Sequence, residues 1–396
     1  MSGLTYERLI KFDLVEEAEK DVLVNNRVFV VDLLQTQQDI ISTDQFIREL
    51  PAFPGSTDKI LRTELISAVG STLAIEGIKL NSDEIKESFE KADSKQDLIR
   101  AEQEAENSRQ AYEFVINYAR NKKNTQLSEG VIKQIHKILT DKIRYQSNVL
   151  GEYRNSSVTF GNPRKVGLCK TESEVREAMS CFAQWLNLDG EGLLLSNPIV
   201  KAIAAHYYFT EIHPFGDGNG RTARTLEAMI LHQTGVNQYC FWSLANFWSA
   251  NRDEYISRLG QIAQTCAPLD FILWGMKGYL EEIKRIKYSV KLKVQQLMLL
   301  DYSRFLFKKL KTQATKANRC LGCLHLLTHN YSNGIRLNDF RNTVEIKTMY
   351  TSLTIRTQRR DFEFLLENGL ITLESQDKVL HIKPRYEKLD GLNYNI

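Results

Sequence analysis

The sequence predicts a mainly α protein with a helical core, a short β-hairpin between two core helices, and a C-terminal winged helix-turn-helix. Three observations support this fold class. Apolar residues recur at three- and four-residue spacing through most of the first two thirds of the chain. One stretch inside that region has strand-like alternation, and the C-terminal segment combines short helices with two strands. The composition, with 42% hydrophobic and 26% charged residues, is typical of a folded globular protein.

The helical core is predicted from five segments with helical periodicity. Ser128 precedes one of them, and Asn197-Pro198 begins another, which is typical of helix starts because proline is tolerated in a first turn. The five predicted helices are Glu104–Arg120, Val131–Lys142, Glu172–Leu188, Pro198–Glu211 and Arg221–Gln233.

An earlier helix is expected ahead of this core. The passage 50–55 is rich in proline and glycine and is predicted to be a turn between helical segments. The apolar segment Thr63–Ile75 that follows is compatible with a helix. Gly77 is a helix-ending signal, because many helices end at a glycine in the left-handed conformation. The sequence therefore predicts a helix that stops at Glu76-Gly77.

Residues 151–168 interrupt the helical pattern. Val158–Phe160 alternates like a strand, residues 161–163 (Gly-Asn-Pro) form a turn signal, and Val166 continues the pattern beyond it. This pattern predicts a short hairpin, or flap, over Val158–Val166.

The C-terminal segment predicts three helices and a two-stranded hairpin, the order of a winged helix-turn-helix. The strands start at Leu370 and Val379, on either side of a Ser-Gln-Asp-Lys turn. The polar helix Lys284–Lys293 is the predicted linker. The three helices are Cys320–Thr328, Leu337–Val344 and Arg356–Leu366. The resulting domains are an N-terminal helical region, a core and a C-terminal domain, at residues 1–100, 101–280 and 281–396.

Charge, apolar runs and cysteines restrict the functional classes. The net charge of +3 is small, although residues 281–396 contain about 21 Lys or Arg and about 12 Asp or Glu. No apolar run approaches the ~20 residues that cross a bilayer, and the N-terminus lacks the layout of a secretory signal. The scattered cysteines suit buried thiols in a reducing compartment. We therefore expect a cytoplasmic protein without membrane association, and its exposed helical faces would suit a homodimer.

Residues 213–224, HPFGDGNGRTAR, lie between two predicted helices. Gly218, Asn219 and Gly220 allow backbone conformations in which successive N–H groups converge on one point. The helix that begins near Arg221 adds its N-terminal dipole at the same point. These features predict a nest for phosphate oxygens.

Four side chains of this segment carry charge or can titrate. Asp217, a hard oxygen ligand, can hold Mg²⁺ that bridges two phosphates. Arg221 and Arg224 are one helical turn apart and can clamp the distal phosphates together. Because the ordinary pKa of a histidine lies near neutrality, His213 can accept a proton from an attacking hydroxyl. The set predicts a phosphate-transfer site.

Each part has a simpler interpretation by itself. His213 before a proline could be a capping or core histidine, and Gly-Asp-Gly-Asn-Gly could be an ordinary turn. Asp-x-Asn-Gly also occurs in calcium loops, but the twelfth position of such a loop would be Ala228 rather than an acidic residue.

The whole segment 213–224 resembles the signature of the Fic family, H-x-F-x-[DE]-G-N-G-R-x-x-R, and meets every specified position. The resemblance extends over most of residues 20–280, including the Leu50-Pro51 passage and the hairpin. It implies an all-helical core that binds ATP with Mg²⁺. The implied reaction transfers AMP to a Tyr, Thr or Ser hydroxyl of a target protein, and of the enzyme itself.

The resemblance also implies roles for individual residues. His213 resembles the general base, and Asp217 resembles the Mg²⁺ ligand. Asn251 lies where the family approaches the nucleotide with a polar residue, although it could equally be a helix cap or a surface position. The Val158–Val166 flap resembles the element that aligns the target protein by strand addition. The residues that resemble the nucleotide-binding loop are Pro214, Phe215, Gly216, Asp217, Gly218, Asn219, Gly220, Arg221 and Arg224.

Gly220 distinguishes two reactions within the resemblance. The related Doc toxins resemble this signature but have a bulkier residue near that position and phosphorylate their targets. With Gly220, phosphates can lie close to the backbone with the α-phosphate before the base, which favours AMP transfer.

Residues 72–77, Thr-Leu-Ala-Ile-Glu-Gly, match the family's inhibitory pattern [ST]-x-x-x-E-[GN]. A Glu76 carboxylate paired with Arg224 would place negative charge where a γ-phosphate should lie and misalign the α-phosphate. The alternative is a helix-end glutamate that faces solvent. Some family members with this glutamate also remove AMP, so the direction of the reaction stays open.

The C-terminal domain allows more than one function. Arg356, Arg359 and Arg360 begin the third helix, where a recognition helix would meet the major groove of DNA, and Lys383 and Arg385 follow the wing. Protein docking, dimerisation and a merely solvated face are the alternatives.

A zinc site in the same domain is not expected. Cys320, Cys323, His325 and His329 lie on one continuous apolar helix, on which four side chains cannot converge on one ion. A core helix is the favoured interpretation.

The sequence thus predicts an autoinhibited protein adenylyltransferase. One alternative is a DNA-binding winged-helix regulator whose core only senses nucleotide. Another is a phosphotransferase or de-AMPylating variant. The target protein is not specified by the sequence.

Overall fold

The computed structural model describes residues 12, 14–49, 54–120, 126–144, 149–160, 165–166, 168–188, 196–236, 244–265 and 267–389. The chain forms two compact units, Met1–Lys287 and Tyr288–Ile396. Their boundary falls within the predicted linker Lys284–Lys293. A division of the first unit at residue 100 stays a prediction.

In the residues that the structure describes, the first unit is helical apart from two short strands, as the sequence predicts. The last of its helices, α12, also contains the boundary between the units. The helices are α1 (Leu14–Asn25), α2 (Arg27–Glu49), α3 (Pro54–Ile75), α4 (Ser82–Asp93), α5 (Arg100–Arg120), α6 (Glu129–Thr140), α7 (Glu172–Asn187), α8 (Pro198–Ile212), α9 (Asn219–Gln233), α10 (Ala245–Ala250), α11 (Arg252–Thr265) and α12 (Leu269–Lys309).

Local sequence explains where several of these helices begin. Asn197 caps α8 by accepting a hydrogen bond from the backbone N–H of Ile199 at 2.9 Å, and Pro198 occupies the first turn. The hydroxyl of Ser128 caps α6 in the same way. Thr171 and Glu174 form a capping box at the start of α7.

Helix α9 lies at the centre of the core of the first unit. It packs along α8 and also contacts α3, α5 and α6. Nearly all of its side chains from Asn219 to His232 are buried. Helix α9 begins at Asn219, two residues before the predicted start. The glycine-rich loop therefore lies between two buried helices, α8 and α9.

Helix α3 ends where the sequence predicts. Gly77 has a φ of 89°, its N–H donates to the carbonyl of Ala74, and the N–H of Ile78 donates to that of Leu73. This left-handed ending needs glycine because a Cβ would be strained there. The described residues of the 50–55 passage, Pro54 and Gly55, belong to the first turn of α3 rather than to a separate turn.

The predicted flap is present as an antiparallel pair of strands, β1 (Thr159–Phe160) and β2 (Lys165–Val166). Thr159 pairs with Val166, and Phe160 pairs with Lys165. The turn predicted at residues 161–163 lies outside the described residues.

The second unit combines helices with a three-stranded sheet in the order β3-β5-β4. The turn between β4 and β5 has Asp377 and Lys378 at φ of 48° and 64°, as in a tight hairpin. The winged helix-turn-helix stays an interpretation of this arrangement. The elements of the second unit are α13 (Ala314–Asn330), β3 (Ile335–Arg336), α14 (Leu337–Asn342), α15 (Val344–Met349), α16 (Ile355–Glu367), β4 (Ile371–Gln376) and β5 (Val379–Pro384).

Two details of this unit differ from the prediction. The expected helix Leu337–Val344 is two helices, because Thr343 has an extended backbone and caps α15 through its hydroxyl. Strand β3 was not predicted, and two residues are too few for a periodic pattern. Cys320 and Cys323 are buried in α13, in agreement with a core helix.

Among the described residues, none of the helices combines the length and apolarity that a membrane crossing requires.

Candidate functional site

The segment 213–218 forms the loop between α8 and α9. His213 ends α8 with φ 50° and ψ 59°, a left-handed conformation that is rare for residues other than glycine. Its Nδ1 lies 3.2 Å from the carbonyl oxygen of Thr210. Since a carbonyl only accepts, Nδ1 carries a proton, and Nε2 is the basic nitrogen of the neutral ring.

Asn219 closes the loop. Its Oδ1 accepts from the backbone N–H of Phe215 at 2.9 Å, and its Nδ2 donates to the carbonyl of Phe215 at 2.9 Å. The side chain therefore holds the loop in shape, while its backbone N–H belongs to the first turn of α9.

His136, which sequence reasoning missed, supports the loop from α6. Its ring stacks on Phe215 with centroids 3.7 Å apart. The N–H of Gly151 donates to Nδ1 at 3.1 Å, so Nε2 carries a proton and donates to the carbonyl of Asp217 at 3.0 Å. A lone buried histidine has no sequence signal that separates this role from simple packing.

Arg154, which was also missed, joins the root of the flap to the loop. Its guanidinium is buried and donates to four backbone carbonyls, and its own N–H donates to the carbonyl of Pro214 at 2.9 Å. Two of the carbonyls end α8, where a cation is favoured by the helix dipole. The four acceptors are Ser156 at 2.6 Å, Cys169 at 2.7 Å, Ile212 at 3.3 Å and His213 at 2.7 Å.

We expect Arg154→Leu to lower the free energy of unfolding by about 3–5 kcal/mol, because it leaves buried carbonyls without donors. Urea unfolding of purified variants measures this change. Arg176→Leu is the matched control: Arg176 is exposed and pairs with Glu172 one turn away, so its loss should leave the free energy of unfolding almost unchanged. Equal losses for the two variants would contradict the anchoring role of Arg154.

The first turn of α9 lies where the sequence predicts an anion nest, with Gly218 at a φ of 75° before it. Its N–H groups have no partners within the helix and present the positive end of the helix dipole. A Cβ built on Gly220 would lie 2.6 Å from Oε1 of Glu76 and 3.2 Å from Nη1 of Arg224. A carboxylate oxygen of Glu76 thus lies against the backbone at the place expected for a phosphate oxygen.

Glu76 and Arg224 form the contact that the sequence predicts. Nη2 of Arg224 donates to Oε1 of Glu76 at 2.6 Å. Nε and Nη2 of Arg224 also donate to the hydroxyl and carbonyl of Thr72, at 2.8 and 3.2 Å. Arg224 is 1% exposed, and its guanidinium has a neutral acceptor in Thr72 of α3 and an anionic acceptor in Glu76, which directly follows α3.

Two opposing effects set the pKa of Glu76. Burial raises it, but the charges of Arg224 and Arg221 and the hydrogen bond from Arg224 together hold the pKa of Glu76 below its ordinary value. The carboxylate is therefore ionised at neutral pH and remains a competitor for any anion that approaches Arg224.

Arg221 pairs with a buried carboxylate of α5. Its Nη1 donates to Oε2 of Glu104 at 2.9 Å, both side chains are buried, and Oε1 of Glu104 accepts from Arg100 at 3.0 Å. Arg221 and Arg224 therefore pair with carboxylates of different helices. A joint clamp on distal phosphates stays a prediction for the nucleotide complex.

Asp217 fits a metal ion that arrives with phosphate. Its carboxylate is 48% exposed, and Oδ1 accepts from the N–H of Gly218 at 2.5 Å. No group of three or more metal-ligating side chains occurs within the described part of the chain. One carboxylate with phosphate oxygens and waters is the usual ligand set of Mg²⁺. When bound, Mg²⁺ would neutralise phosphate charge.

Asn251 lies at the junction of α10 and α11. Its Nδ2 donates to the carbonyl of Phe247 at 3.0 Å, and its carbonyl accepts from the N–H of Tyr255. A nucleotide contact for Asn251 stays a prediction. The neighbouring Arg252 donates to the carbonyl of Ile75 at 2.9 Å and so holds the end of α3.

A helix N-terminus beside a histidine, held in an α-helical core, is an arrangement typical of sites for phosphate-group chemistry. Residues 126–231 match the family model described as Fic/DOC family. These residues of the chain form a Fic/DOC domain.

Parts of the chain are similar to curated relatives. The chain is 39% identical over 85 residues to "Protein adenylyltransferase Fic" of Culex quinquefasciatus, and the matched region covers 22% of this chain and 16% of that protein. It is 44% identical over 61 residues to "Protein adenylyltransferase fic-1" of Caenorhabditis elegans, which covers 15% of this chain and 12% of that protein. The similarity thus spans less than a fifth of these curated relatives.

A solved structure resembles most of the chain. The crystal structure of a Fic family protein from Desulfovibrio desulfuricans G20 superposes with a TM-score of 0.55, covering 90% of this chain and 95% of that one at 17% sequence identity. At this identity the likeness concerns the fold.

Proposed function

We propose that this protein is an adenylyltransferase that transfers AMP from ATP to a hydroxyl of a target protein and is held inactive by Glu76. The observation that carries the proposal is the Glu76 carboxylate, which lies against Gly220 and bonds Arg224 inside an otherwise complete anion site. The names of the relatives, protein adenylyltransferase, support the same activity.

The geometry supports a direct transfer. Nε2 of His213 would take the proton of a Tyr, Thr or Ser hydroxyl whose oxygen attacks the α-phosphorus. The bond between the α-phosphorus and the bridging oxygen breaks, and pyrophosphate leaves with that electron pair. The N–H groups at the start of α9 would stabilise the charge that develops on the α-phosphate. Asp217 would hold Mg²⁺ at the remaining phosphates.

The target segment would align by pairing with the flap at Val158–Val166. Short strands such as β1 and β2 leave backbone N–H and carbonyl groups for an added strand. Arg154 ties the base of this flap to the carbonyl of His213, so an aligned target would lie in a fixed position relative to the base.

The position of the label tests the reaction. Glu76→Gly would be incubated with Mg²⁺ and ATP labelled at the α- or the γ-phosphate, in the presence of cell lysate, and followed by intact mass. We expect label from the α-phosphate and a mass gain of one AMP. Label from the γ-phosphate alone would establish a phosphotransferase. Bound ATP without any transfer would establish a nucleotide-sensing regulator. Release of AMP from a pre-labelled protein by the wild type would establish the reverse activity.

A second function, DNA binding, is favoured by the start of α16. The side chains of Ile355, Arg356, Arg359 and Arg360 are exposed there, although Arg359 also pairs with Glu363 at 3.0 Å. Binding of labelled duplex DNA at several salt concentrations tests this function. An Arg356→Ala/Arg360→Ala variant should bind more weakly with a smaller salt dependence. Unchanged DNA binding by this variant would show that the start of α16 does not bind DNA.

A further inference from the structure

The peptide unit between Asp217 and Gly218 is bonded on both sides. Its carbonyl oxygen, on Asp217, accepts a hydrogen bond from Nε2 of His136 at 3.0 Å. Its N–H, on Gly218, donates to Oδ1 of the Asp217 carboxylate at 2.5 Å. Because a peptide unit without proline is planar and trans, its C=O and N–H point in opposite directions. The hydrogen bond from His136 therefore also sets the direction in which the N–H of Gly218 meets the carboxylate of Asp217.

His136 is itself held firmly in the core. Its side chain lies in α6 and has no exposed surface. The ring stacks on Phe215 with centroids 3.7 Å apart and an angle of 3° between the ring planes, and Nδ1 accepts from the N–H of Gly151 at 3.1 Å. Cδ2 of the ring lies 3.5 Å from the position that a Cβ on Gly218 would take. The ring is thus held on its face and at both nitrogens, so the core determines where its Nε2 proton points.

The carboxylate of Asp217 has a competing direction. It is 48% exposed, and Nη2 of the buried Arg221 lies 3.8 Å from its Oδ1. This distance is too long for a hydrogen bond, but a guanidinium is a permanent cation that attracts a nearby carboxylate. Without a fixed N–H of Gly218, the carboxylate would turn towards Arg221. The same oxygen would then be lost to a metal ion that arrives with phosphate.

We propose that His136 is a positioning residue that keeps the Asp217 carboxylate turned for Mg²⁺, acting through the peptide unit between Asp217 and Gly218. His136 thereby sets how much Mg²⁺ strengthens the binding of ATP. The inference rests on the proposed function for the nucleotide and for Asp217 as the metal ligand. It assigns to His136 no contact with ATP or the metal. Residues that hold a metal-binding side chain in place commonly change metal affinity when they are replaced.

Two conservative substitutions separate the roles of the two ring nitrogens of His136. In His136→Asn, the side-chain amide lies near the position of Nδ1, where it accepts from the N–H of Gly151 but does not reach the carbonyl of Asp217. In His136→Gln, the amide reaches the position of Nε2 and donates to that carbonyl. Both variants lose the ring that stacks on Phe215. They differ in the hydrogen bond on which the positioning role depends.

Isothermal titration with ATP in the Glu76→Gly background tests the inference without requiring transfer. Each protein is titrated once with Mg²⁺ and once with EDTA, and the ratio of the two Kd values gives the contribution of the metal. We expect His136→Asn to lower this ratio about tenfold and His136→Gln to keep most of it. The Kd of ATP in EDTA should be similar in both variants. Asp217→Asn supplies the reference ratio for a site without its metal ligand.

The comparison of the two variants decides the outcome. Equal ratios in His136→Asn and His136→Gln, or an undiminished ratio in His136→Asn, would overturn the positioning role. Urea unfolding shows that each variant is folded. If His136→Asn does not fold, His136→Met takes its place, because methionine fills the space of the ring and has no donor.

The Asp217→Asn reference separates this inference from the proposed function. A ratio that falls in Asp217→Asn but not in His136→Asn overturns the role of His136 alone. A ratio that does not fall in Asp217→Asn refutes Asp217 as the metal ligand in the proposed function, and the role of His136 with it. A Glu76→Gly protein that does not bind ATP would refute the nucleotide site and both assignments.

Discussion

We expect Glu76→Gly to raise the rate of AMP transfer by roughly 10- to 150-fold over the wild type. The reason is the loss of a charge-assisted hydrogen bond between Arg224 and Glu76, which contributes about 1.5–3 kcal/mol. In the wild type, the γ-phosphate of ATP has to displace Glu76 before it can bind Arg224. In the variant, no carboxylate competes with the γ-phosphate for Arg224. The rate of self-labelling with ATP marked at the α-phosphate measures the change.

A matched variant separates removal of the carboxylate from loosening of α3. Glu64, also on α3, is buried and pairs with Arg285 through both carboxylate oxygens. Glu64→Gln should lower the stability of α3 while the contact between Glu76 and Arg224 persists, so we expect little activation. Activation by Glu64→Gln equal to that by Glu76→Gly would show that helix release, rather than the carboxylate, controls the site.

The second large effect is expected at His213. In the Glu76→Gly background, His213→Ala should lower transfer about 10²- to 10⁴-fold, the usual contribution of a general base. Binding of ATP should be unchanged, because under the proposed function Nε2 of His213 would face the acceptor hydroxyl rather than the distal phosphates. Single-turnover transfer and ATP titration measure the two quantities separately.

The backbone of His213 requires a control of its own. Asparagine tolerates the left-handed conformation seen at His213 better than alanine does. If the base matters, His213→Asn and His213→Ala should lose activity alike. If His213→Asn stays active, the loss in His213→Ala would come from a distorted loop, and the assignment of His213 as the base would be wrong.

The contact between Glu76 and Arg224, which we propose to be inhibitory, depends on a helix that is fixed at several points. Ile66, Ala68, Val69 and Leu73 of α3 are buried in the core. Arg252 holds the carbonyl at the end of α3, next to Glu76. Because unpacking these side chains costs several kcal/mol, relief of inhibition by rotation of the Glu76 side chain is cheaper than displacement of α3.

Much of the fold could be predicted from local signals. Helix periods, capping residues such as Asn197 and the glycine at position 77 act within a few residues of one another, so they can be seen in the sequence. The split of the helix expected at Leu337–Val344 was missed, because a threonine at an N-cap differs from one in a helix only by its backbone conformation.

Some residues of the candidate site could likewise be predicted from the sequence, and others could not. The segment 213–224 and the motif ending at Glu76-Gly77 carry their residues at fixed spacing, and the sequence alone was sufficient to predict an anion nest, a base and a carboxylate that reaches Arg224. Only the tertiary structure decided that Arg221 pairs with Glu104 and that His136 and Arg154 support the loop. These contacts join residues that are far apart in the chain. They result from the packing of the core and leave no periodic pattern in the sequence.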